Sequence, residues 1–268
     1  MRIHIASAIA CAAAVAGCGG GSGSGNVCQP VTTGGYAHCA PSGNPPPPST
    51  AIPEGIWGGA TSDGAAVSLL VLETGQYYLV PTSPTIDGLV EGIMTASNYS
   101  FTDAAAVVYS SSTTLVAGTV SGSFIAKTSL SGTLTTAQAL SSPFPQGATS
   151  VTFNGNYNSL YDTPATVAEA VGTWSGQTSV STSPVTLTVA ANGAVSGSDG
   201  ICTFSGSVSP RPTGKHVLDG TVTFSGSGCL LQTSNPLTFE TVIQGDQLVA
   251  AGVTSQRDHG FSIFAKKN

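Results

Sequence analysis

Six cysteines and four histidines hold most of the reactive chemistry in this chain of 268 residues. Thiols can carry a lipid, pair as disulfides or bind metal, and imidazoles can ligate metal or move protons near neutral pH. No Cys-x-x-Cys occurs, and no histidine stands at ligand spacing from Cys202 or Cys229, so no metal site is expected. His38 lies in a Gly-rich stretch, His216 follows the Gly214-Lys215 turn, and His259 sits in Arg257-Asp258-His259-Gly260. Asp258 beside His259 has the composition of a base-orienting pair, but sequence neighbours at a turn normally point apart. Glu91, Glu169 and Glu240 read as solvated single carboxylates, which gives no glycosidase-type pair. A Gly-x-Ser-x-Gly elbow, a His-Glu-x-x-His and a Walker loop are all missing, and no dinucleotide fingerprint stands outside the low-complexity stretch. The expectation is a protein that is not an enzyme, with no catalytic residue and no cofactor.

Cys18 is the reactive position with a clear context. Behind Arg2, Ile3 to Val15 is apolar apart from His4 and Ser7, a length that suits a secretory signal and is short for a bilayer span. It ends on Val15-Ala16-Gly17-Cys18, which resembles a bacterial lipobox. That resemblance implies removal of residues 1–17, a diacylglycerol on the Cys18 sulfur and, usually, a third acyl chain. At about 0.8 kcal/mol per buried methylene, two or more chains anchor stably where one does not. Inner-membrane lipoproteins commonly carry Asp after the lipidated cysteine; Gly19 stands there instead, which implies the outer membrane, on its periplasmic side or at the cell surface. The membrane would then be a partner through the N-terminal lipid.

Cys11 leaves with the signal and Cys18 takes the lipid, so Cys28, Cys39, Cys202 and Cys229 remain as an even set in an exported protein, which reads as disulfides. Proximity favours Cys28 with Cys39 and Cys202 with Cys229; four cysteines allow three connectivities.

Charge is scarce, at 7% of residues, while 40% are hydrophobic, too many for a disordered polymer, so the body folds. Without Arg2, six basic side chains face thirteen acidic ones, and the sole basic cluster is Lys266-Lys267. Nucleic acid is excluded as a partner, because phosphate contacts need several cations on one face. Residues 18–54 are rich in Gly, Ser, Pro and Thr, with prolines at 45 to 48, and read as a tether. Fully extended at roughly 3.3 Å per residue it would reach on the order of 100 Å.

The elements that must position any site come after the tether, in two matching units. Gly55-Ile56-Trp57-Gly58-Gly59 and Gly172-Thr173-Trp174-Ser175-Gly176 hold both tryptophans. Val67, Leu69, Val71 and Gly75 match Val185, Leu187, Val189 and Gly193 at one constant offset, which reads as a tandem duplication. The recurring Gly55, Trp57, Gly59, Gly172, Trp174 and Gly176 are assigned a structural role. In the second unit, 172–268, period-2 runs through Val185, Leu187 and Val189, then from Cys202, Leu218 and Leu237, are separated by Asn192-Gly193, Asp199-Gly200 and Gly245-Asp246 turns. About eight strands result. The first unit, 55–158, divides similarly, but Leu69 to Leu72 is apolar on both faces, as burial against the other unit would require. Between them, 159–171 reads as a helical connector capped by Thr163, with Pro164 in its first turn and Val167, Ala168 and Val171 on its apolar side; it can also plug a barrel end. The expected fold is all-β: two tandem antiparallel units of about eight strands, small up-and-down barrels or sandwiches, joined by a short helix.

A Gly-x-Trp near the start of an eight-stranded unit resembles the lipocalins, in which that tryptophan packs across the barrel base. Phe124-Ile125-Ala126-Lys127, Leu130-Ser131-Gly132-Thr133-Leu134 and Phe153-Asn154-Gly155-Asn156-Tyr157 are similar to the barrel domains of surface lipoproteins of the transferrin-binding and factor-H-binding types. Residues 55 to 268 together resemble two-repeat lipoproteins of Gram-negative bacteria. These resemblances imply a binding or adhesion module with a protein partner, or a carrier of a small apolar ligand. A cavity of about 300 Å³ or more would distinguish the carrier.

Overall fold

The computed structural model describes residues 26–28, 39–41 and 51–268, apart from 84–87, 111–113, 141–143, 145–146 and 233–235. Strands β1 (Asn26–Cys28) and β2 (Cys39–Pro41) form an antiparallel hairpin with Cys28 and Cys39 as backbone register partners. The side chains of these two cysteines, the signal segment and Cys18 lie outside the described residues. Pro48–Asn268 is a compact unit of its own.

Its first half contains β3 (Gly55–Thr61), β4 (Ala66–Val71), β5 (Gln76–Ser83), β6 (Gly88–Ile93), β7 (Thr95–Ser97), β8 (Ser100–Ser110), β9 (Thr114–Ile125), β10 (Ser129–Thr136) and β11 (Ser150–Asn158). Chain neighbours pair antiparallel except β6 with β7; β6 pairs instead with β8, and β11 with β3, which closes eight strands and leaves β7 as a flap on β8. The second half is a closed barrel of β12 (Gly172–Thr178), β13 (Ser181–Val189), β14 (Ala194–Ser198), β15 (Thr203–Pro210), β16 (Leu218–Ser225), β17 (Leu237–Gln244), β18 (Gln247–Val253) and β19 (Gly260–Lys267). The choice between barrels and sandwiches falls to barrels, whose closure removes the exposed edges that sandwiches keep.

The duplication is repeated in hydrogen-bond register. Gly55, Trp57 and Gly59 pair with Val71, Leu69 and Val67, and Gly172, Trp174 and Gly176 pair with Val189, Leu187 and Val185. Both tryptophans are buried, and each indole N–H donates to the carbonyl four residues back, Pro53 at 3.0 Å and Ala170 at 2.8 Å. Trp57 then meets the Tyr157 ring of the last strand edge-on, with centroids 5.1 Å apart, while Trp174 lies under Lys267 Nζ, 5.2 Å from its centroid. The following glycine lets first and last strands close. A Cβ on Gly59 would stand 1.8 Å from Asn154 O, and one on Gly176 2.0 Å from Phe264 O.

The connector is shorter than the sequence implies. A 3-10 turn, Ser159–Asp162, comes first; α1 spans Val167–Ala170, with Thr166 at its N-cap and Thr166 N donating to Glu169 Oε2 at 2.8 Å. Thr163 therefore closes the 3-10 turn rather than opening the helix, because its extended backbone and bond to Leu160 O terminate that turn. Ala165 and Ala170 join the core of the second barrel, while Ala168 of the expected apolar side is exposed and Val167 and Val171 are half-buried.

Leu69 and Val71 point into the first barrel's core, and Leu70 and Leu72 into a third core formed with Val217, Val242, Val249 and Val253 of the second barrel. A strand apolar on both faces is thus buried on both, by its own lumen and by its neighbour. The two barrels are fused side by side.

Candidate functional site

In an up-and-down barrel, turns alternate between ends. The near end of the first barrel is where Gly55 begins, so the Leu72–Gly75 turn, the β6 to β8 connection, the β9–β10 turn and the exit at Asn158 share it. The second barrel lies in the same sense. Near end meets near end where Lys215 Nζ lies 3.2 Å from Glu54 Oε1, Arg211 Nε 3.1 Å from Glu73 Oε2, and Asn158 Nδ2 2.8 Å from Gln244 Oε1. Far end meets far end where Ser262 Oγ donates to Gly88 O at 3.0 Å and Tyr109 Oη to Arg257 O at 3.1 Å.

Cations from the second barrel dominate this seam. Arg257 Nε reaches Glu91 Oε2 at 2.7 Å, and its Nη2 donates to the carbonyls of Glu91 at 3.2 Å and Ala105 at 2.9 Å. Arg211 bridges Glu73 to Asp219, with Glu240 3.9 Å away, and the Thr213 hydroxyl donates to Glu73. Burial pushes the Glu73 carboxyl up, but Thr213 and Arg211 outweigh it and hold it below the usual range. Glu91 and Glu240 are corrected by the structure: Glu91 is buried and Glu240 half-buried in the seam, rather than solvated. Burial drives both carboxyls above the usual range against the pull of Arg257 on Glu91 and of Tyr78 and Arg211 on Glu240. Sequence missed these placements because Arg257 and Tyr78 reach Glu91 and Glu240 from the other barrel; the available signal was the scarcity of cations, of which Arg211, Lys215 and Arg257 are three of seven. Glu169 does stay exposed, while His216 is buried with Nε2 3.1 Å from Ile243 O and Nδ1 3.3 Å from Thr163 Oγ1.

A cleft of about 150 Å³ opens at the far end where the barrels meet, bordered by Tyr109, Leu115, Val180, Leu230, Asp258 and His259. Leu115 and Leu230 are exposed at 42% and 47%, an apolar rim that nothing in the chain covers among the described residues. Leu230 follows Cys229, whose disulfide to Cys202 pins the β16–β17 loop to the β14–β15 turn. Asp258 and His259 do not point apart: His259 Nδ1 lies 3.1 Å from Asp258 Oδ1, because Thr254 ties the hairpin tip through both its hydroxyl and its backbone. The Thr254 hydroxyl and then His259 hold the Asp258 carboxyl below its usual range, so the rim carries an anion. The Oγ of Ser179, also on this cleft, accepts the N–H of Ser262 at 2.9 Å.

The lumens differ from the cleft. Phe204, Phe224, Phe239 and Phe261 stack through the second barrel and leave about 30 Å³; the first retains about 10 Å³ beside Tyr77, Phe144 and Phe153. Pockets that enclose a small molecule measure roughly 300–1,000 Å³. Among the described residues no group of three or more His, Cys, Asp or Glu side chains is placed to hold a metal ion.

Fold and cleft define an all-β protein of two fused eight-stranded barrels, with side-chain-filled lumens and a recessed surface at the far end between them. No family model matches the chain, and no curated protein matches it. Among solved structures it is similar to a mutant of the vaccine antigen transferrin-binding protein B from Haemophilus parasuis Hp5, at 7% identity and a TM-score of 0.26. Intact Ap-TbpB, with N and C lobes, matches at 8% identity and the same TM-score of 0.26. In both, 76% of this chain is covered and it spans 66% of the other. Both are proteins of the transferrin-binding type.

Proposed function

We propose that the chain is a lipid-anchored, non-enzymatic outer-membrane protein whose fused barrels present the far-end cleft to a protein partner. Residues 1–17 are removed, Cys18 carries the lipid, 18–54 form the tether, and 55–158 and 172–268 are the two modules joined by 159–171. The observation that carries this reading is the polarity of the body. The chain leading from Cys18 joins the first barrel at its near end, and the cleft with exposed Leu115 and Leu230 opens at the opposite one. A recess of about 150 Å³ suits one apolar side chain of a partner, the anchor-in-pocket arrangement that concentrates binding energy at protein interfaces. The carboxylates with raised pKa, Glu91 and Glu240, lie in the seam instead of facing this recess, which argues against a catalytic role for the cleft. The filled lumens weigh against a carrier of small apolar ligands.

Two measurements test it. Mass spectrometry of the protein from its own membranes should find acyl chains on Cys18, and Cys18→Ser should leave an uncleaved or soluble form; a wild-type chain without acyl groups ends the anchor reading. Peptide-display selection on the immobilised protein should enrich sequences whose binding is lost in the Leu115→Asp, Leu230→Asp double variant and kept in Ile125→Ser. Binding indifferent to the first pair, no enrichment, or a co-purifying apolar small molecule would overturn the cleft assignment.

A further inference from the structure

Six large apolar side chains are exposed among the described residues, and topology divides them evenly between the ends. Leu115, Ile201 and Leu230 lie at the far end, Leu115 and Leu230 on the cleft. Ile93, Tyr99 and Ile125 lie at the near end of the first barrel, exposed at 59%, 57% and 64%. Tyr99 and Ile125 share one lip, and Ile93 lies on the strand pair that leads into it. Strand β7 carries the chain from Ile93 to the Asn98-Tyr99 turn, Phe124 N donates to Tyr99 O at 2.9 Å, the two rings meet edge-on with centroids 5.9 Å apart, and Ile125 follows. The turn is held in an unfavourable backbone: Asn98 and Tyr99 take φ of 52° and 62°, the second a position that glycine fills without strain. An aromatic kept there covers Phe124 with one edge and still leaves 57% of its surface in water.

We propose that this lip rests on the lipid bilayer, so that the near end of the first barrel is a membrane-contacting face. The inference builds on the lipid-anchor reading, since the chain leading from Cys18 joins the barrel at this same end and delivers it to the surface. Tyrosine and branched aliphatic side chains suit the boundary between headgroups and acyl chains. Charge does not oppose the approach: the acids in the near-end turns of the first barrel are each paired, Glu54 with Lys215, Glu73 with Arg211 and Asp162 with Lys127 at 2.8 Å. Contact there would also orient the cleft away from the membrane, where a partner can reach it.

The test separates this face from the native anchor. The chain from Gly19 onward, tagged with histidines at its N-terminus, is held on phosphatidylethanolamine and phosphatidylglycerol vesicles that contain a nickel-chelating lipid. Cys28 and Cys39 are replaced by Ser, and an environment-sensitive dye is placed at Tyr99→Cys, Ile125→Cys or, at the far end, Leu115→Cys. If the lip lies about 5–10 Å into the headgroup boundary, dyes at 99 and 125 shift to the blue and lose roughly half or more of their emission to brominated acyl chains. The dye at 115 should be unaffected, and an added Ile93→Ser, Ile125→Ser pair should restore the emission of the dye at 99. Equal behaviour at all three positions, quenching at 115 alone, or no response to the serine pair overturns the face. Since the histidine tag replaces the lipid, a negative result here leaves acylation of Cys18 to be judged by mass spectrometry alone.

Discussion

Arg257 and Glu91 form an ion pair between the two barrels, 2.7 Å from Nε to Oε2, with the carboxylate almost wholly out of water and the guanidinium one-third exposed. Removing one partner of a buried pair leaves a charge with no compensation, at a cost of about 3–5 kcal/mol. The partial exposure of Arg257 puts Arg257→Ala near the low end, about 3 kcal/mol by urea denaturation. Arg257→Ala with Glu91→Gln should cost clearly less than the two changes added separately. Strict additivity would show that the pair does not couple the barrels.

Glu240 gives the pH dependence an unusual sign. Burial raises its folded pKa above the ordinary 4.5, against Tyr78 and Arg211. A raised carboxyl stabilises the fold while protonated, and that contribution is lost as pH climbs from the unfolded value through the folded one. Glu240→Gln removes the loss. Its melting temperature relative to wild type should therefore rise as pH climbs above about 4.5; parallel curves would refute the assignment.

The closure seams predict a contrast between neighbouring glycines. Gly59→Ala drives a methyl into Asn154 O and Gly176→Ala into Phe264 O, whereas a Cβ on Gly58 meets nothing within 4 Å. Overpacking of this kind costs about 1–3 kcal/mol or more. Gly58→Ala should be close to neutral in thermal melts, and equal effects at 58 and 59 would contradict the seam geometry. Trp57→Ala and Trp174→Ala should each cost about 3–5 kcal/mol and leave acrylamide quenching of the remaining indole low.

The Cys202–Cys229 bond closes a separation of 27 residues. On the loop-entropy model, breaking it removes roughly 3–4 kcal/mol. The double Cys→Ala variant should melt correspondingly lower and, with Leu230 released from its anchor, show faster hydrogen exchange in the β16–β17 loop. An unchanged melting temperature would mean that the unfolded chain is already constrained there.

By itself the sequence determined what depends on local periodicity and backbone chemistry. Alternating Val185, Leu187 and Val189 specify a half-buried strand, Gly193 supplies the left-handed turn that follows at φ 82°, and the repeated Gly-x-Trp-x-Gly marks the start of each unit. It also made the two-sided strand Leu69 to Leu72 legible, because an apolar residue on both faces has to be covered on both. Only the tertiary structure decided the rest. A sandwich and a barrel share one alternation and differ in whether the last strand meets the first, which rests on Gly59 against Asn154 and Gly176 against Phe264. Glu91 and Glu240 resemble any solvated carboxylates until a cation or a tyrosine from the other barrel arrives, since electrostatic pairing acts through space and leaves no periodic trace in the chain. The cleft follows from the same cause: the side-by-side fusion of two barrels gathers at one point residues separated by more than a hundred positions along the backbone.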